Sequence, residues 1–130
     1  MMETIPLEFW EGVEQFNTGD FYACHDTLEA LWMEASEPDK QFYQGVLQIA
    51  VGLYHLGNEN IRGAAILLGE GSNRLRRYPS TYSGIDVDKL LDESTDILRA
   101  VQLAKSEDIS SLNFGETGQL RSPKIQKVAG

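Results

Sequence analysis

The stretch QFYQGVLQIAVGLYHLGN, residues 41–58, decides the fold because it holds eighteen consecutive residues without a formal charge. A run of this length raises the question of a membrane span. However, Gln44, Gln48 and His55 would be costly in lipid, and three glycines interrupt the run. A helix that is apolar on nearly all sides is instead typical of the buried centre of a helical bundle. We therefore expect no membrane span and a central helix near 39–57.

Proline, glycine and capping residues divide the rest of the chain into further helical segments. Asp20 and Asp86 are suited to cap helices, because their carboxylates accept hydrogen bonds from free backbone N–H groups. Strand-like alternation is absent from the sequence, and a polar turn is expected over 80–85. Three glycines of the fourth segment indicate that it packs closely against a neighbour: Gly63, Gly69 and Gly71. Besides the central helix, helices are predicted near 5–18, 21–35, 59–78 and 87–104.

The predicted fold is all-α, a compact bundle of about five helices packed as antiparallel hairpins. Short connections make sequential helices neighbours, and 130 residues fit a single domain. We place the helical bundle domain in residues 1–105 and an irregular, partly ordered C-terminal tail in residues 106–130. The tail has too few apolar residues for a helix with a continuous face. We therefore expect removal of 118–130 to leave the bundle folded.

Acidic residues dominate the first half of the chain. Residues 1–60 hold eleven Asp or Glu and one basic residue, and the net charge of the whole chain is −9. Nucleic acid is therefore not expected as a partner, since neutralising phosphates needs a surplus of basic residues. A surface of this kind is either a solvated helix face or a recognition surface for a basic partner.

Cysteine usage and the first residues bear on the cellular compartment. The single cysteine, Cys24, excludes an intramolecular disulfide and a multi-cysteine zinc site, which suits a reducing compartment. It lies on the apolar stripe of the second helix, so we expect a buried and inert thiol. The opening residues MMETIPLEFW lack the basic and apolar regions of a secretory signal. We expect a cytoplasmic protein.

A row of polar and aromatic residues runs beside the apolar stripe of the second helix. Side chains three and four positions apart are neighbours on a helix surface. The row on the second helix consists of Tyr22, His25, Glu29 and Trp32. The third helix carries a matching row at Gln44, Gln48, Val51 and His55. If the two helices pack as an antiparallel hairpin, His25 and Glu29 come within reach of Gln48 and His55.

The same region resembles a known family. The pattern reads Gly19-Asp20-Phe21-Tyr22-x-x-His25-Asp26-x-Leu28-Glu29-x-Leu31-Trp32, followed by Gln44-Gly45-x-x-Gln48-x-Ala50-x-x-x-Tyr54-His55. These motifs resemble the uncharacterised family called domain of unknown function 309. The resemblance implies a small all-α bundle and no particular activity, because the family has none assigned. Asp26 departs from the pattern, since the family more often has glutamate there.

Three interpretations of the His25, Glu29 and His55 group remain open. In a metal site, the three residues would be the protein ligands of a catalytic zinc or iron that keeps one coordination position open. However, neither a His-Glu-x-x-His nor a Glu-x-x-His motif is present. An acid–base site would use His25 polarised by Glu29, although no nucleophile accompanies it. In a structural network, buried polar groups would satisfy one another between the second and third helices. The residues alone identify no catalytic residue and predict neither a metal nor a cofactor.

Two functional hypotheses follow. The leading one is a non-enzymatic scaffold or adaptor that binds another protein or forms a homo-oligomer, with His25 and Glu29 in a buried polar network. The alternative is a small metal-dependent or acid/base enzyme, or a ligand-binding protein, with its site between the second and third helices. A closed, packed environment around His25 would favour the scaffold, and an open cleft would favour the alternative.

Overall fold

A computed structural model of the chain describes residues 5–104 and 121–128. Within them the chain forms five α-helices and one short hairpin. The helices are α1 (Leu7–Asn17), α2 (Phe21–Glu34), α3 (Asp39–Gly57), α4 (Ile61–Leu75) and α5 (Val87–Leu103), with β1 (Thr81–Tyr82) and β2 (Ile85–Asp86) between α4 and α5. The prediction of an all-α bundle is confirmed.

The short hairpin departs from the expectation of a chain without strands. β1 and β2 are antiparallel, with Tyr82 opposite Ile85. The loop between them is Ser83-Gly84, and φ is +51° at Ser83 and +79° at Gly84. Two-residue hairpins favour positive φ at both central positions because this backbone matches the twist of the strands. The polar turn expected over 80–85 is therefore a tight β-turn with two residues paired on each side.

The uncharged helix α3 lies at the centre of the bundle and packs against α2 and α4. Ten of its nineteen residues are buried, more than in any other helix. They are Phe42, Tyr43, Gly45, Val46, Gln48, Ile49, Ala50, Gly52, Leu53 and Leu56. In the described part of the chain, no helix combines the length and apolar character needed to cross a membrane.

Carboxylate and amide side chains set the starts of three helices. Asp20 accepts a hydrogen bond from the Ala23 N–H, and Asp86 accepts one from the Lys89 N–H. Both caps agree with the sequence prediction. Asn60 caps α4 in the same way, and this helix begins at Ile61, two residues after the predicted start. Such caps satisfy N–H groups that have no partner inside the helix.

Of the three glycines predicted to lie at a close helix contact, Gly71 is the one that meets the main chain of α3. A Cβ added to Gly71 would lie 2.7 Å from the Gly45 carbonyl oxygen, so only glycine fits at this crossing. Gly69 has no neighbour within 4 Å of such an atom, and the atoms nearest Gly63 belong to Asn60 and His55. The expected close contact between helices is therefore made at Gly71 and not at Gly69.

Residues 121–128, which we call the C-terminal segment, lie against the bundle. Asn17 at the end of α1 donates to the Ile125 carbonyl oxygen (2.9 Å) and accepts from the Ile125 N–H (2.7 Å). Ile125 is buried, and the Asp86 N–H donates to the Gln126 carbonyl oxygen (2.8 Å). The predicted tail begins at residue 106, so its residues 106–120 and 129–130 lie outside the described residues. The contacts of Ile125 argue against the expectation that residues 118–130 are dispensable.

Candidate functional site

The polar row of α2 lies along the edge of its interface with α3. The buried residues of α2 form its apolar stripe, which consists of Phe21, Cys24 and Leu28. Beside this stripe the helices enclose a cleft of about 310 Å³. The α2 wall of the cleft is formed by His25, Glu29 and Trp32. Across from it lie Gln44, Leu47, Gln48 and Val51 of α3 and Leu67 of α4.

A second and smaller pocket continues the cleft toward the start of α2. It holds about 160 Å³ and shares His25 and Val51 with the cleft. Its other lining residues are Phe21, Tyr22, Tyr54 and His55. The rings of Tyr22 and Tyr54 lie 5.7 Å apart across it. We call the two pockets together the α2–α3 groove. The structure brings all six candidate residues to this groove: Tyr22, His25, Glu29, Trp32, Gln48 and His55.

His25 lies between two carboxylates at the point where the two pockets meet. Its Nδ1 is 3.1 Å from Asp26 Oδ1, and its Nε2 is 3.4 Å from Glu29 Oε2. The side chains of His25 and Glu29 are 30% and 49% exposed. The expectation of a buried His/Glu network is therefore corrected: the pair lies on the rim of the groove, because the buried positions of α2 are taken by its apolar stripe. Asp26 is exposed on α2 and contacts His25.

Gln48 and His55 have partners that the sequence did not indicate. Gln48 Nε2 donates to Glu70 Oε1 of α4 (3.1 Å), and His55 Nδ1 lies 3.3 Å from Asn60 Nδ2. Within the described residues, no hydrogen bond joins either of them to His25 or Glu29. The candidate residues share one groove, yet the polar contacts of His25 with Glu29, of Gln48 and of His55 are separate from one another. Asn60 was recognisable as a cap before α4, whereas the position of Glu70 depends on how α4 packs against α3.

Two lining residues carry polar atoms that are buried without a hydrogen-bond partner in the described part of the chain: Gln48 Oε1 and Trp32 Nε1. The Gln48 amide is oriented by its bond to Glu70, because only the NH₂ group donates to a carboxylate. The carbonyl oxygen is consequently the atom left unpaired. At the Trp32 end, the Lys40 ammonium lies 4.6 Å from the Trp32 ring centroid and donates to the Trp32 carbonyl oxygen (2.9 Å).

Metal binding and thiol chemistry have little basis in this geometry. Among residues 5–104 and 121–128, no three His, Cys, Asp or Glu side chains are grouped so that they could hold a metal ion. Cys24 is fully buried on the apolar stripe of α2 and does not line the groove. Burial, with a smaller contribution from the negative charge of Asp20, raises the pKa of the Cys24 thiol to about 12. The thiol is therefore protonated near neutral pH, which fits the inert role predicted for it.

Comparison with known proteins agrees with the resemblance found in the sequence. Residues 9–67 match the family "Domain of unknown function (DUF309)". An uncharacterized protein of Bacillus subtilis, YpuF, is 32% identical over 83 residues, which are 62% of this chain and 48% of YpuF. An uncharacterized protein of Aquifex aeolicus is 23% identical over 95 residues, which are 72% of this chain and 28% of that protein. The chain thus spans about half the length of one relative and less of the other. The matched residues contain every residue that lines the groove, and the motifs quoted above lie within the same match.

Proposed function

We propose that this chain is a non-enzymatic binding module whose α2–α3 groove receives a segment of a partner protein. The observation that carries the proposal is the groove itself, which is open at His25 and holds about 310 Å³ in its larger pocket. By the criterion stated above, this openness favours the ligand-binding alternative, with its site between α2 and α3, over a closed and fully packed scaffold. That volume is near the lower end for small-molecule sites, about 300–1,000 Å³, and suits a side chain or a small group. Exposed aromatic rings beside it, Tyr22 and Tyr54, are residues enriched at protein interfaces.

The surroundings of His25 favour binding over proton transfer. A general base needs a ring nitrogen that is free to meet the substrate. Here Nδ1 faces Asp26 and Nε2 faces Glu29, so a substrate would have to displace one of the two carboxylates. The groove also offers no cysteine or serine as a nucleophile among its lining residues.

A peptide selection tests the proposed function. The purified protein is used to select binders from a displayed library of random peptides, and the affinity of the selected peptides is measured by calorimetry. We expect Leu67→Trp, which fills the larger pocket, to lower the affinity at least about tenfold, because it removes the space that a side chain would occupy. Ile66→Trp is the matched control, because Ile66 is 52% exposed and does not line the groove.

Gln44→Trp serves as a second groove-filling variant in case Leu67→Trp does not fold. The proposal fails if no peptide is enriched, or if the selected peptides bind the groove-filled and control variants equally. A homodimer that dissociates on filling the groove would identify a second copy of the chain as the occupant and would also overturn the proposal as stated.

A further inference from the structure

We infer that the partner segment places a Lys or Arg side chain in the larger pocket of the α2–α3 groove. This inference rests on the proposed function and adds the chemical class of the group that is bound. It draws on the charges around the pocket, on an unpaired buried acceptor and on the shape of the adjoining pocket.

Carboxylates flank the larger pocket, and neither lysine nor arginine lines it; His25, which does, faces Glu29 and Asp26. Glu29 forms part of the α2 wall, and Glu70 hydrogen-bonds to the lining residue Gln48 from the α4 side. Of the lysines and arginines, Lys40 lies at the Trp32 end, with its ammonium 4.6 Å from the centroid of the Trp32 ring. Lys40 is held by the Trp32 carbonyl oxygen, and Arg74 packs near Gly45. A cation entering the pocket would therefore meet negative charge from two helices, which favours its approach.

Gln48 supplies an observation that is independent of charge. Its side chain is only 8% exposed and lines the pocket, and Oε1 has no donor among the described residues. An unpaired buried carbonyl oxygen is costly, so a ligand that brings an N–H group would relieve that cost. Ammonium and guanidinium groups carry several N–H donors and no acceptor. Gln48 Oε1 has less than 1 Å² of exposed surface, so the same group can pair with it and with a neighbouring carboxylate once the lining side chains shift to admit the ligand.

The adjoining pocket explains why the cation would arrive on a peptide. Its lining includes Phe21, Tyr22, Val51 and Tyr54, which suit an apolar side chain. From Tyr22 to Trp32 the groove follows ten residues of α2, or about 15 Å at 1.5 Å per residue. An extended peptide of about four or five residues has that length. Residues two apart in such a peptide point to the same side, so an apolar residue and a basic residue at this spacing can fill both pockets.

The test uses the blocked peptide Ac-Ala-Phe-Ala-Lys-Ala-NH₂ and analogues with norleucine or glutamate in place of lysine. Binding to the full chain is followed by amide chemical shifts in two-dimensional NMR. We expect the lysine peptide to shift amides of the groove and to bind about tenfold more tightly than the norleucine peptide. Glu29→Gln and Glu70→Gln should each lower its affinity about three- to fivefold, as for partly exposed ion pairs. Glu34→Gln is the matched control, because Glu34 is exposed on α2 away from the groove.

The outcomes separate the two proposals. If the norleucine or glutamate peptide shifts the groove amides as strongly as the lysine peptide, the groove binds peptides but the basic class is wrong. If n-butylammonium alone binds as tightly as the lysine peptide, the ligand is a free amine and the partner segment is wrong. If none of these probes shifts the groove and the displayed library also yields no groove binder, the proposed function fails together with this inference.

Discussion

Gly71 allows a sharp test of the packing between α3 and α4. A Cβ at this position would lie 2.7 Å from the Gly45 carbonyl oxygen, 2.8 Å from Ile49 Cγ1 and 3.0 Å from the Ile49 backbone nitrogen. Two of these three atoms belong to the main chain of α3, so they cannot move aside by a change of rotamer. Gly71→Ala therefore forces the two helices apart at the centre of the bundle.

The expected loss of stability combines two opposing effects. Alanine is favoured over glycine inside a helix by about 1 kcal/mol. Overpacking a filled core costs about 1–3 kcal/mol, and rigid main-chain neighbours put Gly71→Ala at the upper end of that range. We expect a net loss of about 1–2 kcal/mol in the free energy of unfolding. For a chain of this size the melting temperature should then fall by roughly 3–10 °C.

Gly69→Ala is the control for this experiment. Gly69 lies in the same helix, and a Cβ there would have no neighbour within 4 Å, so only the helical preference changes. We expect the free energy of unfolding of this variant to rise by up to about 1 kcal/mol. Urea unfolding and thermal melts followed by far-UV circular dichroism measure both variants. If Gly71→Ala melts at or above the temperature of the unmodified protein, the close crossing of α3 and α4 is refuted.

Three further predictions follow from other parts of the molecule. Ile125→Ala should lower the free energy of unfolding by about 2–4 kcal/mol, because Ile125 is 3% exposed. Gln126→Ala should lower it by less than about 0.5 kcal/mol, because Gln126 is exposed; equal melting temperatures would contradict the packing of the C-terminal segment. His25→Ala should lower the free energy of unfolding, measured in urea, by less than about 1 kcal/mol, since the pair of His25 with Glu29 is partly exposed. A loss of about 3–5 kcal/mol would instead support a buried His/Glu network. Cys24 should resist iodoacetamide until the protein unfolds, and rapid labelling of the folded protein would refute this. Because the pKa of the thiol is raised in the folded state, its contribution to the free energy of unfolding should be complete below pH 9.0 and decline as pH rises toward about 12. A pH titration of stability without that decline would contradict the raised pKa.

Local signals in the sequence were sufficient to predict the helices and much of their arrangement. The uncharged run of residues 41–58 could lower its free energy only at the centre of a bundle, and α3 lies there. Asp20 and Asp86 cap α2 and α5 because capping depends on an N–H group only three residues away. Helical spacing also identified eight of the twelve residues that line the groove, since periodicity fixes which side chains share a face; Phe21, Leu47, Tyr54 and Leu67 were not among them.

The tertiary structure decided which residues on different helices and segments contact one another. Nothing in the sequence indicated that Gln48 would bond to Glu70, that Gly71 and not Gly69 would touch α3, or that Ile125 would bond to Asn17. Each of these contacts depends on the rotation and separation of packed helices, and a small change in either exchanges one neighbour for another. Local sequence therefore determined which residues face inward or line a groove, because that depends only on spacing along one helix. The depth of the groove, the exposure of His25 and the place of the C-terminal segment were decided by packing, because they depend on the whole bundle at once.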